Sequence, residues 1–199
     1  MRTRASVFSG YARGILPVRV GKSTQATVAE LEPMTIAQFE KWKPASIADY
    51  ARQHVRGGRW TAREALRKSR EEFEKLLPKG MATPQHRFFS IVRLPDRKAV
   101  GMLWIQVEKK PRPAAFIFNI EIHKPFRRRG YAMRAMTLLE QEARRLGLES
   151  IRLHVFAHNA AARPLYEKLG YVATNLLMRK RLRRASSRSI RTSRRLPPR

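Results

Sequence analysis

Residues 116–147 hold the stretch of this chain best suited to chemistry. It comprises an apolar strand ending in Ile120-Glu121-Ile122-His123, a turn reading Lys124-Pro125-Phe126-Arg127-Arg128-Arg129-Gly130, and an amphipathic helix opening with Tyr131 and Ala132. Strand, basic glycine turn and helix together make a phosphate cradle. A helix start presents backbone N–H groups with no carbonyl partner, together with a partial positive charge, so a diphosphate can settle there. Gly130 leaves the approach open, and Arg127, Arg128 and Arg129 surround it. The turn is neither of the two common nucleotide-binding forms. A Walker loop needs Gly-x-x-x-x-Gly-Lys-Ser/Thr and a dinucleotide turn needs Gly-x-Gly-x-x-Gly. The chain has no cysteine, which excludes disulfides, a thiol nucleophile and cysteine-based zinc sites. Its five histidines form no helical pair, so a metal site is discounted.

The elements that must position this cradle follow from pattern. Met34-Thr35-Ile36 reads as a short first strand, and residues 47–77 as two helices broken at Gly57-Gly58. Thr61 and Glu64 offer a capping box for the second helix. Residues 88–94, 99–108 and 115–123 read as three consecutive strands, an antiparallel meander joined by the turns Pro95-Asp96-Arg97-Lys98 and Pro111-Arg112-Pro113. After Gly130, Ala132, Ala135, Met136, Leu139, Ala143 and Leu146 fall on one helical stripe, which is core, with Gly147 as the stop. Ile151, Leu153 and Val155 alternate as a strand. Asn159 is placed to cap the last helix, Gly170 to end it, and Tyr171 to Lys180 to form a final strand. The fold class is α/β (mixed α+β) in a single domain, residues 34–180.

The formal net charge is +28 over 199 residues, and residues 179–199 carry ten basic residues and no acid. Such a surface attracts polyanions, whether coenzyme phosphates, RNA, ribosomes or acidic lipid headgroups. Residues 181–199 read as a disordered basic tail, with weak nucleic-acid binding as the sharper expectation and no selected role as the plainer one. Residues 1–33, broken by Gly10, Gly14, Pro17 and Gly21, are expected to be disordered as well. Their composition suits an organellar transit peptide, but the amphipathic arginine helix is poorly formed, and an upstream start codon with Met34 as the true first residue is preferred. No run of about 18 apolar residues exists to span a membrane. A cytoplasmic protein, monomer or homodimer, is expected.

Arg127-x-x-Gly130-x-Ala132 resembles the acetyl-coenzyme A signature Gln/Arg-x-x-Gly-x-Gly/Ala of the GCN5-related N-acetyltransferases (GNAT). Downstream, Asn159, the small residues Ala160 to Ala162, and Leu165-Tyr166-Glu167-Lys168-Leu169-Gly170-Tyr171 look like that family's second signature, in the right order and spacing. The resemblance covers residues 34–180 and is most specific from Phe116 onward. It implies a mostly antiparallel sheet splayed between its fourth and fifth strands, with helices on both faces and acetyl-CoA as co-substrate. Ile120, Glu121 and Ile122 would lie along the pantetheine arm, and Arg127, Arg128, Arg129, Gly130, Tyr131 and Ala132 around the pyrophosphate. Asn159, Ala162 and Tyr166 would meet the coenzyme from the far side.

The reaction implied is acetyl transfer to a small-molecule or protein amine. A primary amine of pKa about 10.4 must lose a proton, and a thiol of pKa about 8.5 must leave. By resemblance Tyr166 is the acid for the departing sulfur, with a packed aromatic as its plain alternative. Glu121 leads as base if a carboxylate there is shielded from water, with an ordinary strand charge as its alternative. His86, His123 and His154 are lesser choices, and a water relay stays open. Pro164 fits only in a first helical turn. Two other functions compete: a basic RNA- or ribosome-binding protein, and the same fold holding coenzyme without catalysis.

Overall fold

The computed structural model of the protein describes residues 28–180 and 182. Five strands lie side by side in chain order: β1 (Ala29–Pro33), β2 (His86–Arg93), β3 (Lys98–Glu108), β4 (Ala114–Ile122) and β5 (Ser150–Leu153). The first four pair antiparallel and β5 pairs parallel to β4. The helices are α1 (Ile36–Arg56), α2 (Ala62–Leu76), α3 (Tyr131–Arg145) and α4 (Arg163–Lys168).

Strand alternation sends neighbouring residues to opposite faces, and both faces of this sheet are covered. Phe89, Ile91, Leu103, Ile105 and Ile117 face α3 and pack with its Ala135, Met136 and Leu139. The alternate positions Phe88, Met102 and Trp104 face the α1–α2 hairpin and pack with Phe39 and Phe73. Burying each large apolar side chain contributes about 1.5–3 kcal/mol, so both helical layers are tied firmly to the sheet. The apolar stripe of α3 lies where the sequence predicts it.

The feature that shapes the site is a bulge in β4. Trp104 pairs with Asn119 while Ile105 pairs with Ile117, so Phe118 is an extra residue and both Phe118 and Asn119 face α1 and α2. Phe118 stacks on Trp104 with ring centres 4.6 Å apart, and Asn119 Nδ2 donates to Ser46 Oγ at 3.4 Å. Beyond the bulge, Ile120 and Ile122 turn to the α3 side and pack on its core, which leaves Glu121 on the opposite face. The β4–β5 ladder ends at Ile117 and Leu153, whereas the β3–β4 ladder continues to Ile122. The splay expected between the fourth and fifth strands is therefore present, on a mixed α/β fold.

The structure differs from the sequence reading at four places. The first strand is not 34–36 but Ala29–Pro33, paired on β2 with Ala29 and Leu31 buried, so the folded part begins before residue 34. The rest of the expected N-terminal extension, residues 1–27, lies outside the described residues, as does the basic tail apart from Leu182. Thr35 instead caps α1: its side chain accepts from the Gln38 N–H and Gln38 returns a bond to the Thr35 N–H, which starts the helix well before Ile47. Asn159 does not cap α4. Pro164 is tolerated only in a first turn, so the helix starts at Arg163 behind Ala162, and the Asn159 backbone makes turns instead. Tyr171 to Lys180 forms no strand. β5 stops after four residues and offers little edge to pair with, and the Arg179 guanidinium donates to the Gly57 and Gly58 carbonyls at the end of α1. Val172, Leu176, Leu177 and Met178 are exposed along this segment.

Gly101 on β3 lies so close to β4 that a Cβ there would fall inside contact distance of the Glu121 carbonyl oxygen and crowd Ile122. Gly101→Ala is expected to destabilise the fold by about 1–3 kcal/mol, the range for forced overpacking, read by denaturant unfolding.

Candidate active site

The end of β4 and the turn after it form one rigid corner. Lys124–Phe126 makes a single 3-10 turn, and the Arg127 N–H donates to the Lys124 carbonyl at 3.3 Å. Phe126 sits under two cations, with Arg93 at 5.3 Å and Lys98 at 5.5 Å from its ring centre, and packs edge-on against Tyr131. Arg127 folds back: its Nε donates to the Ile122 carbonyl at 2.7 Å, and its guanidinium lies 3.9 Å from the Glu121 carboxylate. One side chain thus ties the turn to the strand while keeping a positive charge at the corner.

Arg128 and Gly130 both take positive φ, +60° and +82°, which turns the chain sharply into α3. The first bond of α3 runs from the Arg134 N–H to the Gly130 carbonyl at 3.0 Å. The N–H groups of Tyr131, Ala132 and Met133 precede it, so they have no carbonyl one turn back and point out of the helix start. The Tyr131 ring is buried in the α3-side core, so this residue can serve a ligand through its backbone. A diphosphate would meet unpaired amides, the positive helix pole and the exposed Arg128 and Arg129.

Beyond Phe118, β4 has no strand on its β5 side among the described residues. Tyr166, on α4, packs against the same core as Ile120 and Ile122. Burial pushes its phenol pKa up, so the hydroxyl keeps its proton at neutral pH. Tyr171, 5.7 Å from it ring to ring, has a hydroxyl buried without a hydrogen-bond partner among the described residues and a pKa pushed up mainly by burial. Ala162 carries α4 as its N-cap, and Asn159 is exposed just before it.

Glu121 is not shielded. Its side chain is 48% exposed and faces the α1–α2 side with Arg127 beside it. The burial on which the base assignment rested is therefore missing. His86 accepts from the Trp104 indole N–H at 2.9 Å within the core and is structural. His123 and His154 are exposed. Sequence reasoning missed Ser46, Asn119, Tyr50 and Glu72. The Tyr50 hydroxyl donates to Glu72 at 2.7 Å, a link between α1 and α2 that their separation of 22 residues conceals.

Residues 48–171 match the sequence profile of the Acetyltransferase (GNAT) family. The chain belongs to this family. Two Bacillus subtilis proteins, each named as an uncharacterized N-acetyltransferase, YycN and YdgE, are 39% identical to it over 153 residues, 76% of this chain and 97% of theirs. The crystal structure of YycN superposes with a TM-score of 0.76 at 37% identity, covering 79% of this chain and all of that one. Membership of the GNAT family makes the chain an N-acetyltransferase. Among the described residues, no helix is long and apolar enough to cross a membrane.

Gly130→Val tests the corner. A β-branched residue at φ +82° is strained by about 1–2 kcal/mol and would stand over the free amides. Calorimetry with coenzyme A as probe is expected to show at least a tenfold loss of affinity, which corresponds to about 1.4 kcal/mol.

Proposed function

We propose that the protein transfers an acetyl group from acetyl-CoA to an amine by direct attack, using the opening between β4 and β5 as the coenzyme slot. The observation that carries this reading is the early end of the β4–β5 ladder at Ile117 and Leu153, next to a helix start with free amides. Residues 120–122 would line the pantetheine arm, and the amides of Tyr131 and Ala132 with Arg128 and Arg129 would hold the pyrophosphate. Arg127 would set the shape of that cradle through its bond to the Ile122 carbonyl. Asn159 and Ala162 would close the far side.

The acetyl donor supplies the electrophilic thioester carbon. As the amine nitrogen bonds to that carbon and the carbon–sulfur bond breaks, Tyr166 gives its proton to the departing sulfur and regains one from solvent. Burial holds its pKa up, so the phenol is protonated where the reaction runs and has a proton to give as negative charge builds on the sulfur. The amine's proton leaves toward Glu121 at the rim or into a water beside it. Glu121, half exposed, suits an acceptor that arrives from solvent and passes its proton on quickly. Freed backbone groups of β4 would serve the developing oxyanion. The setting proposed is cytoplasmic, in keeping with a chain that has no cysteine.

Two measurements test the proposal. Calorimetry at low salt should show acetyl-CoA binding, and its absence rejects the reading. With an amine found by a panel screen, Tyr166→Phe should lower kcat by about 10²–10⁴, the usual weight of an acid catalyst, with coenzyme affinity little changed. A variant as active as the parent removes Tyr166 from the chemistry.

A further inference from the structure

One buried ring takes no part in the site so far described. His54, in the last turn of α1, is 3% exposed, and neither ring nitrogen has a hydrogen-bond partner among the described residues. It is boxed by aromatics: stacked on Trp60 with centres 4.1 Å apart, and edge-on to Tyr50 at 4.3 Å and Phe156 at 5.1 Å. Phe156 belongs to the segment that leaves β5 where the strands part. The next contact reinforces the docking, since His158 stacks on Phe156 and its Nε2 lies 2.7 Å from Gln53 Oε1 on α1.

From Phe156 the backbone runs through linked turns to the proposed acid. The Phe156 carbonyl accepts from the Asn159 N–H at 2.8 Å, the Asn159 carbonyl from the Ala162 N–H at 3.2 Å, and the Ala162 carbonyl from the Tyr166 N–H at 3.1 Å. A shift of Phe156 is therefore passed on to Asn159 and Tyr166.

Charged and titratable neighbours reach the ring from every element around it: Arg59 from the α1–α2 turn, Glu72 from α2, His154 from the end of β5, and Tyr50 from α1 itself. Burial comes first among the causes that hold His54 below the usual histidine pKa, and Arg59 adds to it. Glu72 opposes them, but it is already engaged by the Tyr50 hydroxyl and by Arg59 at 3.5 Å. The aromatic faces would favour a charged imidazole, but Arg59 already lies over Trp60 and a buried cation without an acceptor is costly.

We infer that His54 is a positioning residue: as a neutral ring it holds Phe156 and so fixes the loop that carries Asn159 and Tyr166, and on protonation it releases that loop. The inference rests on the proposed roles of Asn159 and Tyr166. The sign follows from the depressed pKa. The unfolded or released histidine, with pKa about 6.5, binds a proton before the caged one does. The docked arrangement is thus fully favoured above about pH 6.5 and loses ground as pH falls below that value, until the caged ring itself is protonated.

The test compares wild type with His54→Phe, which fills the box without titrating, and with His54→Gln as a second variant. Coenzyme A affinity is measured by calorimetry at about pH 7.5 and about pH 5.5. Protonation of the ligand's own phosphate is common to all the proteins and cancels. Wild type is expected to lose about tenfold more affinity on acidification than His54→Phe. Tryptophan fluorescence gives a reading that needs no ligand, because an imidazolium stacked on Trp60 would quench it. An acid transition below pH about 6.5 should appear in wild type and vanish in His54→Phe and in Trp60→Phe. Equal acid sensitivity of affinity in wild type and His54→Phe overturns the inference. If both His54 variants fail to fold, a wild-type transition that is absent, or that survives in Trp60→Phe, overturns it equally. Failure of wild type to bind coenzyme A at pH about 7.5 would instead strike the proposed function, leaving the fluorescence comparison to judge the cage.

Discussion

β4 is held by β3 along its whole length but by β5 along less than half of it, and the site depends on that unequal grip. A strand with no partner on one side is normally a liability, because its backbone donors and acceptors can be satisfied only by water or by another chain. In the proposed function an extended ligand would supply the missing bonds. The bulge at Phe118 falls at the same point. It sends Phe118 and Asn119 to one face together and puts Ile120 and Glu121 on the faces they occupy. Without the extra residue the face of each would be reversed, with Glu121 directed into the α3 core.

Much of this could be read from residues 116–147 because the determinants are local. A positive-φ glycine, the basic turn before it and an apolar stripe after it are all properties of neighbouring residues, and they fixed α3 and its start correctly. Tyr166, which the second signature singles out, packs against the same core as Ile120 and Ile122. Elsewhere the decisive contacts are remote. β1 lies at Ala29–Pro33 because it pairs with Arg93 to Phe89, a register that no nearby residue announces. The bulge that turned Glu121 outward depends on how β3 and β4 align. The box around His54 draws on residues from Tyr50 to Phe156, and a lone histidine in a helix gives no hint of it.

The final segment shows how a good local pattern can go unused. Tyr171 to Lys180 has β-prone residues enough, yet a strand exists only where a ladder receives it, and β5 has only four residues to offer. Tyr171 is drawn into the core beside Tyr166, while the described residues after it join no ladder.

Arg179 gives that segment a fixed end. Its guanidinium covers the carbonyls of Gly57 and Gly58, where the negative pole of α1 gathers, a few residues from both His54 and Trp60. A chain cut short of this arginine would leave the pole bare to solvent. Fraying of α1 would then begin at the turn that holds the aromatic box, so the segment ending at Arg179 acts as a clasp on the α1–α2 hairpin.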